Sequence, residues 1–598
     1  MLVVCCFLVF VGMAGWVLIG WRLPAVSAGR SASQTGGHAY SGADPNAVCA
    51  HCHEAIYDRY RGTPMANASG LAVDGFQAGG FTHQPSGISY RTVERDGKVF
   101  LTFARGAASN DSGDSLKGQR ELQYFIGSGK RGRTYLFEQD GYWFEIPVNW
   151  YGKKRIWDMA PNYLNVKEMP LTLPVDPGCL RCHSSEAQPS LPEARNKYAG
   201  APFLEGGITC TACHGDATAH LASGGHTAMM KIGSLPPVRR DSICLSCHLE
   251  GQEAVVHQGK RLVDFRPGEN IFDYASYFVR QASPEERATS QWEALLQSGC
   301  KRGAEERLTC TTCHDPHSSS GAMSAEERVE FFREKCLACH DPEAAGIPSA
   351  GTSALDAAAR KGFAGKHHPE NRDCASCHMP KAKTDDIAHE QVTDHRIPRI
   401  PIAAKLQGEK NTADHGSAAG QLIAIGTVPG IAAESSNRDL GLAYALATEN
   451  GDRLAGERAI QLLSEAESLP GSASDNQLHE QLGFLRQLAG ENDAAEREYA
   501  ETLAADPHDS IAAGNLALLK AQDKQYGEAI ELWERAFDED PIQVKAGMNL
   551  AIVQCGLGGK EAALKTLGRI LVFSPDDHRA AEMLREIQSG KRGCLGHS

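Results

Sequence analysis

Hydrophobic and polar residues follow three different patterns along the chain. From Met1 to Ile19 the residues are apolar or small almost without interruption, which predicts an export segment within residues 1–28. Val26-Ser27-Ala28 supplies the small residues of a signal-peptidase site, but the apolar stretch is also about long enough to remain as a membrane anchor. Both alternatives place the rest of the chain outside the cytoplasm, in the periplasm or tethered to the membrane.

The second pattern, in residues 86–165, predicts a small β unit. Short segments rich in apolar and β-branched residues flank two Asp-Gly pairs, Asp96-Gly97 and Asp140-Gly141. Asp-Gly favours the tight type I′ turn of a β-hairpin. We therefore expect one hairpin formed by residues 88–93 and 99–103, and another formed by residues 135–137 and 142–146.

The third pattern, in residues 437–590, is helical and repeats every 34 residues. Proline, small, leucine and large apolar positions all keep this step: Pro507, Pro541 and Pro575; Ala495, Ala529 and Ala563; Leu482, Leu516 and Leu550; Tyr499, Trp533 and Leu567. A 34-residue period with these positions is typical of tetratricopeptide repeats, which are antiparallel helix pairs. Such arrays usually bind a peptide or protein, so we expect a protein partner here.

Length and charge limit the classes of function. With 598 residues, the chain is too long for one hydrophobic core and is divided into several domains. A formal net charge of −14 argues against nucleic acid as a partner. Aromatic residues make up 7% of the sequence, so we expect part of the interior to be filled by something other than aromatic side chains.

Fourteen of the nineteen cysteines form seven Cys-x-x-Cys-His motifs, numbered 1 to 7 in chain order. The cysteines are Cys49 and Cys52, Cys179 and Cys182, Cys210 and Cys213, Cys244 and Cys247, Cys310 and Cys313, Cys336 and Cys339, and Cys374 and Cys377. The histidines are His53, His183, His214, His248, His314, His340 and His378. The other cysteines are in no motif, and Cys555, in an apolar helix, is expected to be a small buried residue.

This spacing is the one that covalent haem attachment requires. Two thiols add to the two vinyl groups of one porphyrin, and the histidine that follows binds the iron. A zinc site also uses Cys-x-x-Cys but does not need histidine after every copy, and a thioredoxin-like site uses a single copy. The sequence therefore predicts seven covalent haem c groups, carried on short helices.

An iron bound by two histidines needs a second imidazole from elsewhere in the chain. Six histidines outside the motifs have a suitable local sequence: His83, His220, His317, His368 (or its neighbour His367), His389 and His395. They leave one of the seven irons without a partner. Met65 lies twelve residues after His53, so we predict it as the sixth ligand of haem 1, where a thioether would raise the potential. The alternative is an open haem 1.

From Cys49 to about Pro401 the chain resembles the multihaem cytochromes related to the tetrahaem electron acceptor of hydroxylamine oxidoreductase, most closely the bacterial branch with a C-terminal tetratricopeptide array. The seven motifs carry the resemblance, together with Cys-His-Asp-Pro-His at 313–317, Cys-His-Met-Pro-Lys at 377–381 and Thr-Asp-His-Arg-Ile-Pro at 393–398. The resemblance implies electron transfer. The family often has a histidine where this chain has Thr63-Pro64-Met65, which keeps both alternatives for haem 1 open.

The predicted fold class is mainly α, with short helices and an inserted β unit in a cytochrome domain at 40–400, a linker at 401–436 and an α-solenoid at 437–590. The predicted function is extracytoplasmic electron transfer between redox partner proteins. The alternative is a multihaem reductase or oxidase of a small nitrogen or sulfur compound that uses an open haem. Related enzymes often contain a Cys-x-x-Cys-Lys motif, which this chain lacks, and this favours the carrier.

Overall fold

In the computed structural model, strands dominate the chain up to residue 174 and helices dominate its C-terminal part. The structure describes residues 40, 42–106, 116–191, 194–280, 290–340, 373–381, 393–398, 420–426, 435–452 and 454–594. All of them lie in one unit, His38–Ser598. None of the helices within these ranges is long and apolar enough to cross a membrane. The predicted export segment, 1–28, lies outside the described residues.

The N-terminal β unit contains eleven strands within the described residues. They are β1 Ser69–Leu71, β2 Gly79–His83, β3 Ile88–Arg95, β4 Lys98–Arg105, β5 Leu116–Leu122, β6 Tyr124–Ile126, β7 Gly132–Gln139, β8 Tyr142–Glu145, β9 Val148–Tyr151, β10 Ile156–Met159 and β11 Leu173–Pro174. One antiparallel sheet has the order β2-β3-β4-β5. The other has the order β1-β6-β7-β8-β11, with β9 paired to β7 and to β10. The unit therefore extends beyond the predicted range of 86–165.

Both predicted hairpins are present. Asp96 and Gly97 connect β3 to β4 with φ angles of 53° and 72°, and Asp140 and Gly141 connect β7 to β8 with φ angles of 55° and 84°. Two consecutive positive φ angles define the type I′ turn that Asp-Gly favours. The local turn chemistry in the sequence was therefore sufficient to identify both hairpins.

The β unit has a conventional core of large side chains. Ile88, Leu101, Tyr135, Phe137 and Phe144 are at most 1% exposed. Burying a side chain of this size stabilises a fold by about 1.5–3 kcal/mol. The aromatic residues of the chain are thus concentrated where no Cys-x-x-Cys-His motif lies.

Short helices carry the seven motifs. The helices of this part are α1 Ala47–Tyr60, α2 Pro177–His183, α3 Cys210–His214, α4 Thr218–Ala222, α5 Pro237–His248, α6 Gln291–Gln297, α7 Gly299–Ala304, α8 Cys310–Cys313, α9 Ala325–His340 and α10 Cys374–His378. Strands β12 Ser184–Ala187 and β13 Phe203–Gly206 form a hairpin, and β14 Glu253–Val256, β15 Ala275–Arg280 and β16 Leu422–Ala424 form a three-stranded sheet. Strand β16 lies inside the range predicted as a linker, 401–436.

The C-terminal part consists of antiparallel helix pairs at the predicted period. The helices are α11 Asn437–Glu449, α12 Ala455–Glu467, α13 Asn476–Leu488, α14 Asn492–Ala505, α15 Ser510–Gln522, α16 Tyr526–Glu539, α17 Val544–Gly556, α18 Lys560–Phe573 and α19 His578–Gln588. The small positions Ala495, Ala529 and Ala563 are all fully buried. A residue without a long side chain at these positions lets the two helices of a pair approach closely, which confirms the helical repeats.

The repeats pack against the β unit through the loop that follows α18. Phe573 belongs to the core of the β unit, where its ring lies 5.9 Å from that of Tyr142. The hydroxyl of Thr172 donates to the Phe573 carbonyl oxygen at 2.6 Å. Asp576 pairs with Arg105 at 2.6 Å and also accepts from the Met169 N–H at 2.8 Å.

The first repeats contact the β14–β16 sheet in the same way. The Leu422 N–H in β16 donates to the Tyr444 hydroxyl at 3.0 Å, and Arg280 at the end of β15 pairs with Asp452 at 2.7 Å. The array therefore has close contacts with two separate sheets of the chain.

The predicted fold class fits the C-terminal part, whereas the N-terminal part contains many more strands than expected. Only two hairpins have an Asp-Gly turn. Strands such as β2 and β5 contain glycine and charged residues (Gly-Gly-Phe-Thr-His and Leu-Lys-Gly-Gln-Arg-Glu-Leu), and these interrupt the apolar alternation that identifies a strand in a sequence.

Candidate functional site

Each motif forms one helical turn, and capping residues fix where several of these turns begin. Asp176 accepts from the Gly178 N–H at the start of α2, and Asp373 accepts from the Ser376 N–H at the start of α10. Thr309 forms a capping box with Thr312 at the start of α8. Residues at i, i+3 and i+4 share one face of a helix, so the two cysteines and the histidine project together where the histidine is helical, whereas His53 and His314 have a non-helical backbone.

Three motif histidines face an imidazole from another part of the chain. The ring centres are 6.3 Å apart for His53 and His220, 5.9 Å for His214 and His317, and 6.2 Å for His314 and His395. The angles between the ring planes are 17°, 17° and 35°, respectively. In every pair a motif histidine meets a histidine outside the motifs.

These separations fit an iron held between two imidazoles. Two metal–nitrogen bonds of about 2 Å each, with about 1.1 Å from each nitrogen to its ring centre, give roughly 6.2 Å. Aromatic rings that merely pack together also lie 4.5–7 Å apart. The distance and the angle between the ring planes therefore do not identify ligands by themselves, and the identity of the paired histidines carries more weight.

In two of the three pairs, the second imidazole is oriented by an oxygen acceptor at Nδ1. His220 Nδ1 lies 2.8 Å from the Thr227 carbonyl oxygen, and His395 Nδ1 lies 2.8 Å from that of Thr393. A carbonyl oxygen only accepts, so Nδ1 carries the proton and Nε2 keeps its lone pair. His317 Nδ1 lies 3.6 Å from Asp315. Histidines that bind a metal typically donate their other N–H to an oxygen in this manner.

Burial also shifts the pKa values of three of the paired histidines. The pKa values of His214, His314 and His395 are lowered, first because burial disfavours the charged form. For His214 and His314 the next cause is the facing imidazole, His317 or His395. Neutral imidazole is the form that binds iron.

The motifs themselves lie next to one another. Thiols of different motifs lie close enough to perturb each other's pKa in four pairs, which are Cys49 with Cys210, Cys182 with Cys247, Cys244 with Cys310, and Cys336 with Cys374. Two further pairs of thiols, Cys213 with Cys247 and Cys313 with Cys336, interact electrostatically. Motifs 1, 3, 4, 5, 6 and 7 therefore form a continuous series, and motif 2 joins it at motif 4.

His83 is placed away from the motifs. It is 6% exposed inside the β unit, where Nδ1 lies 2.8 Å from the Ser86 hydroxyl and Nε2 lies 3.0 Å from the Leu164 carbonyl oxygen. Both nitrogens are engaged, so this arrangement is at odds with the prediction that His83 is an iron ligand. Its local sequence resembles that of the other candidates, and only the surrounding strands distinguish it.

Met65 is not the residue that faces His53. Its backbone oxygen accepts from the N–H groups of Ala68 and Ile208, so Met65 lies in a half-buried turn against the segment that leads into motif 3. The position opposite His53 is taken by His220, which lies 167 residues further along the chain. Of the remaining predicted ligands, His368, its neighbour His367 and His389 lie outside the described residues.

A second cluster of metal-ligand type lies in the repeats. His479 Nδ1 is 2.7 Å from Glu498, and Glu467 lies nearby. Arg486 pairs with Glu498 at 3.3 Å and with Glu467 at 3.4 Å. The guanidinium already supplies the positive charge that a metal ion would bring, so we interpret the group as an ion-pair cluster that joins α13 to α14.

The sequence reasoning missed one covalent feature. Cys555 and Cys594 form a disulfide across 39 residues, which corrects the prediction that Cys555 is simply a small buried residue. Both cysteines lie outside the motifs and near the end of the same repeat array, and this shared location is the sequence feature that points to a disulfide between them.

Comparison with known proteins concerns the repeats. The tetratricopeptide repeat family model matches residues 520–587. Similar solved structures include MamA (AMB-1), with 22% identity over 26% of this chain and 82% of that chain and a TM-score of 0.23. The first tetratricopeptide domain of Spaghetti (RPAP3) bound to an HSP90 peptide has 22% identity over 20% of this chain and 94% of that chain, with a TM-score of 0.19. A tetratricopeptide repeat protein from Parabacteroides merdae has 17% identity over 25% of this chain and 61% of that chain, with a TM-score of 0.22.

A search of curated proteins finds no match to the chain. The family model and the helix pairs together establish that the C-terminal part contains tetratricopeptide repeats. At these TM-scores the solved structures carry no argument about function.

Proposed function

We propose that the chain is an extracytoplasmic multihaem cytochrome that carries seven covalent haem c groups and transfers electrons between redox partner proteins. The observation that carries the proposal is the set of three facing histidine pairs, each joining a motif histidine to one outside the motifs. Haem iron supplies reversible one-electron chemistry when it is bound. The resemblance to relatives of the tetrahaem electron acceptor of hydroxylamine oxidoreductase belongs to this proposal.

The residues have defined roles in it. The fourteen motif cysteines hold the porphyrins through thioether bonds, and the seven motif histidines bind the irons. His220, His317 and His395 supply the sixth ligands of haems 1, 3 and 5. Oxygen acceptors at Nδ1 of His220 and His395 would keep these two imidazoles aimed at the iron. His368 and His389 remain proposed ligands for other haems.

The proposed sixth ligand of haem 1 is therefore His220 and not Met65. Two imidazoles give a lower potential than an imidazole and a thioether, so haem 1 is not raised in potential by its ligands. The same pairing removes haem 1 as the expected open site, on which the alternative of a multihaem reductase or oxidase rested.

The contacts between motifs support electron transfer along the chain. Because thiols of neighbouring motifs lie close together, the attached porphyrins would be neighbours as well. The series runs from motif 1 through motifs 3, 4, 5 and 6 to motif 7, with motif 2 as a branch at motif 4.

The disulfide supports the extracytoplasmic location. Structural disulfides persist in oxidising compartments and are rare in the cytosol, and Cys555–Cys594 is one. The apolar residues 1–28 would provide the export signal or a membrane tether. The repeats are proposed to bind a protein partner with the surface that their contacts to the β unit and to the β14–β16 sheet leave available.

The test compares His220→Leu with Met65→Leu in protein matured by a c-type haem assembly system. Intact mass should give seven haem additions in both variants. Electron paramagnetic resonance of the oxidised protein should show a new high-spin signal in His220→Leu and none in Met65→Leu. A high-spin signal from Met65→Leu alone would restore the methionine ligand, and protein that binds no haem would refute the whole proposal.

A further inference from the structure

Two hairpin tips of the β unit lie side by side. One is the 127–132 loop that leads into β7, and the other is the 152–155 turn between β9 and β10. The Gly152 N–H donates to the Arg131 carbonyl oxygen at 2.8 Å. A Cβ on Gly152 would lie 1.8 Å from the Gly129 carbonyl oxygen, so only glycine permits this approach. The two tips therefore form one continuous surface.

This surface is strongly basic. Its exposed side chains are Lys130, Arg131, Lys153, Lys154 and Arg155, which we call the hairpin patch. None of these cations forms an ion pair within the described part of the chain. The rest of the protein is acidic, with a net charge of −14 for the whole chain. A local positive region on a negative protein orients an anionic partner before contact and fixes where it docks.

The backbone conformation at Arg155 adds an independent indication. Its φ angle is +54°, in the left-handed region, which is unfavourable for a residue with a Cβ. Glycine or asparagine would relieve that cost at a turn. The sequence instead retains a third consecutive cation there, and strained residues of this kind cluster at functional surfaces.

The hairpin patch lies next to the proposed haem sites. Lys130 Nζ donates to the Gly62 carbonyl oxygen at 3.3 Å, just beyond the end of α1. Tyr60, two residues earlier, has its ring 6.5 Å from that of His317, which faces His214. Helix α1 also carries His53, roughly 10 Å from Tyr60 along the helix axis at 1.5 Å per residue.

We propose that the hairpin patch is the docking surface for an acidic one-electron redox protein that exchanges electrons with haems 1 and 3, an inference that rests on the proposed function. One electron passes between the partner's redox centre and the iron, so that one is oxidised as the other is reduced. The nearness of the patch to two histidine pairs favours a redox protein over an anionic membrane as the occupant.

The test uses Lys153→Gln/Lys154→Gln, with Lys98→Gln/Lys117→Gln as the matched control. The control removes the same charge from exposed positions in the other sheet of the β unit. Two probes are used with the full-length holoprotein. The first is the rate at which the dithionite-reduced protein is oxidised by ferricyanide, which is anionic, or by hexaammineruthenium(III), which is cationic. The second is binding of a fluorescent polyglutamate peptide.

At low ionic strength, the patch variant should lose about threefold or more in ferricyanide rate and polyglutamate affinity, with no loss of rate toward hexaammineruthenium(III). The control should match the parent protein. Equal effects of the two variants, or no effect of either, would overturn the proposal. Patch-dependent binding to phosphatidylglycerol vesicles without polyglutamate binding would assign the surface to a membrane instead. Protein without haem absorbance would refute the proposed function, and polyglutamate binding would still report on the patch.

Discussion

Replacement of Asp576 by alanine should detach the end of the repeat array from the β unit. Asp576 is 4% exposed and accepts from Arg105 at 2.6 Å and from the Met169 N–H at 2.8 Å. The Arg105 side chain is only 14% exposed. Removing one partner of a buried ion pair costs about 3–5 kcal/mol, because the other charge stays buried without compensation.

Hydrogen exchange measures this loss directly, since detachment is a local opening that global unfolding need not reflect. A loss of about 3 kcal/mol corresponds to more than 100-fold lower protection. The decrease should appear in peptides that cover residues 166–175 and 570–578. Asp576→Asn keeps an acceptor for the Met169 N–H and should lose less.

Asp538→Ala is the matched control. Asp538 also pairs with an arginine, Arg569, but its side chain is 69% exposed, and pairs of this kind contribute about 0–1 kcal/mol. In Asp538→Ala, protection from hydrogen exchange in the same peptides should change by less than about fivefold. If Asp576→Ala lowers protection no more than Asp538→Ala, the ion pair with Arg105 does not hold the array to the β unit.

Two further predictions concern the repeats. Reduction or Cys594→Ser opens the loop of 39 residues that the bond to Cys555 closes, and chain entropy predicts a loss of about 4 kcal/mol. Thermal unfolding should show a lower melting temperature that reductant does not change further, and a melting temperature equal to that of the oxidised parent would contradict the disulfide. Burial, with help from the charges of Asp509 and Glu449, raises the pKa of Glu480 to about 8. The folded state then binds this proton more tightly than the unfolded state, so stability falls as pH rises from about 4.5 to 8. Glu480→Gln should melt higher than the parent at pH 9 and equal to it at pH 4, and a difference that does not vary with pH would refute the shift.

Features with a local signature could be predicted from the sequence. The two Asp-Gly turns, the 34-residue period and the seven motifs each lie within a short stretch, so their structural meaning is visible without the fold. The pairing of His53 with His220 spans 167 residues, and nothing in either local sequence indicates it. Met65 was preferred because it is close in sequence, which is a weak guide to distance in a folded chain.

His83 shows the converse case. Its sequence neighbourhood resembles that of a free loop histidine, yet the surrounding strands bury it and bond both nitrogens. The extra strands of the β unit were missed because glycine and charged residues interrupt their alternation. Contacts between the β unit and the repeats have no local signature either, because they join residues far apart in sequence. Arg105 and Asp576, for example, are 471 residues apart.

The position of Phe573 determines when the β unit can be completed during synthesis. Its ring lies against Tyr142 and Phe144, although the last strand of the β unit ends at Pro174, far earlier in the chain. Until the end of α18 arrives, this apolar face lacks the Phe573 ring, and exposed apolar faces on incomplete chains aggregate. A chain cut anywhere between α17 and α18 would keep all seven motifs and still carry an open β-unit core. Completion of the β unit therefore depends on a residue near the far end of the repeat array.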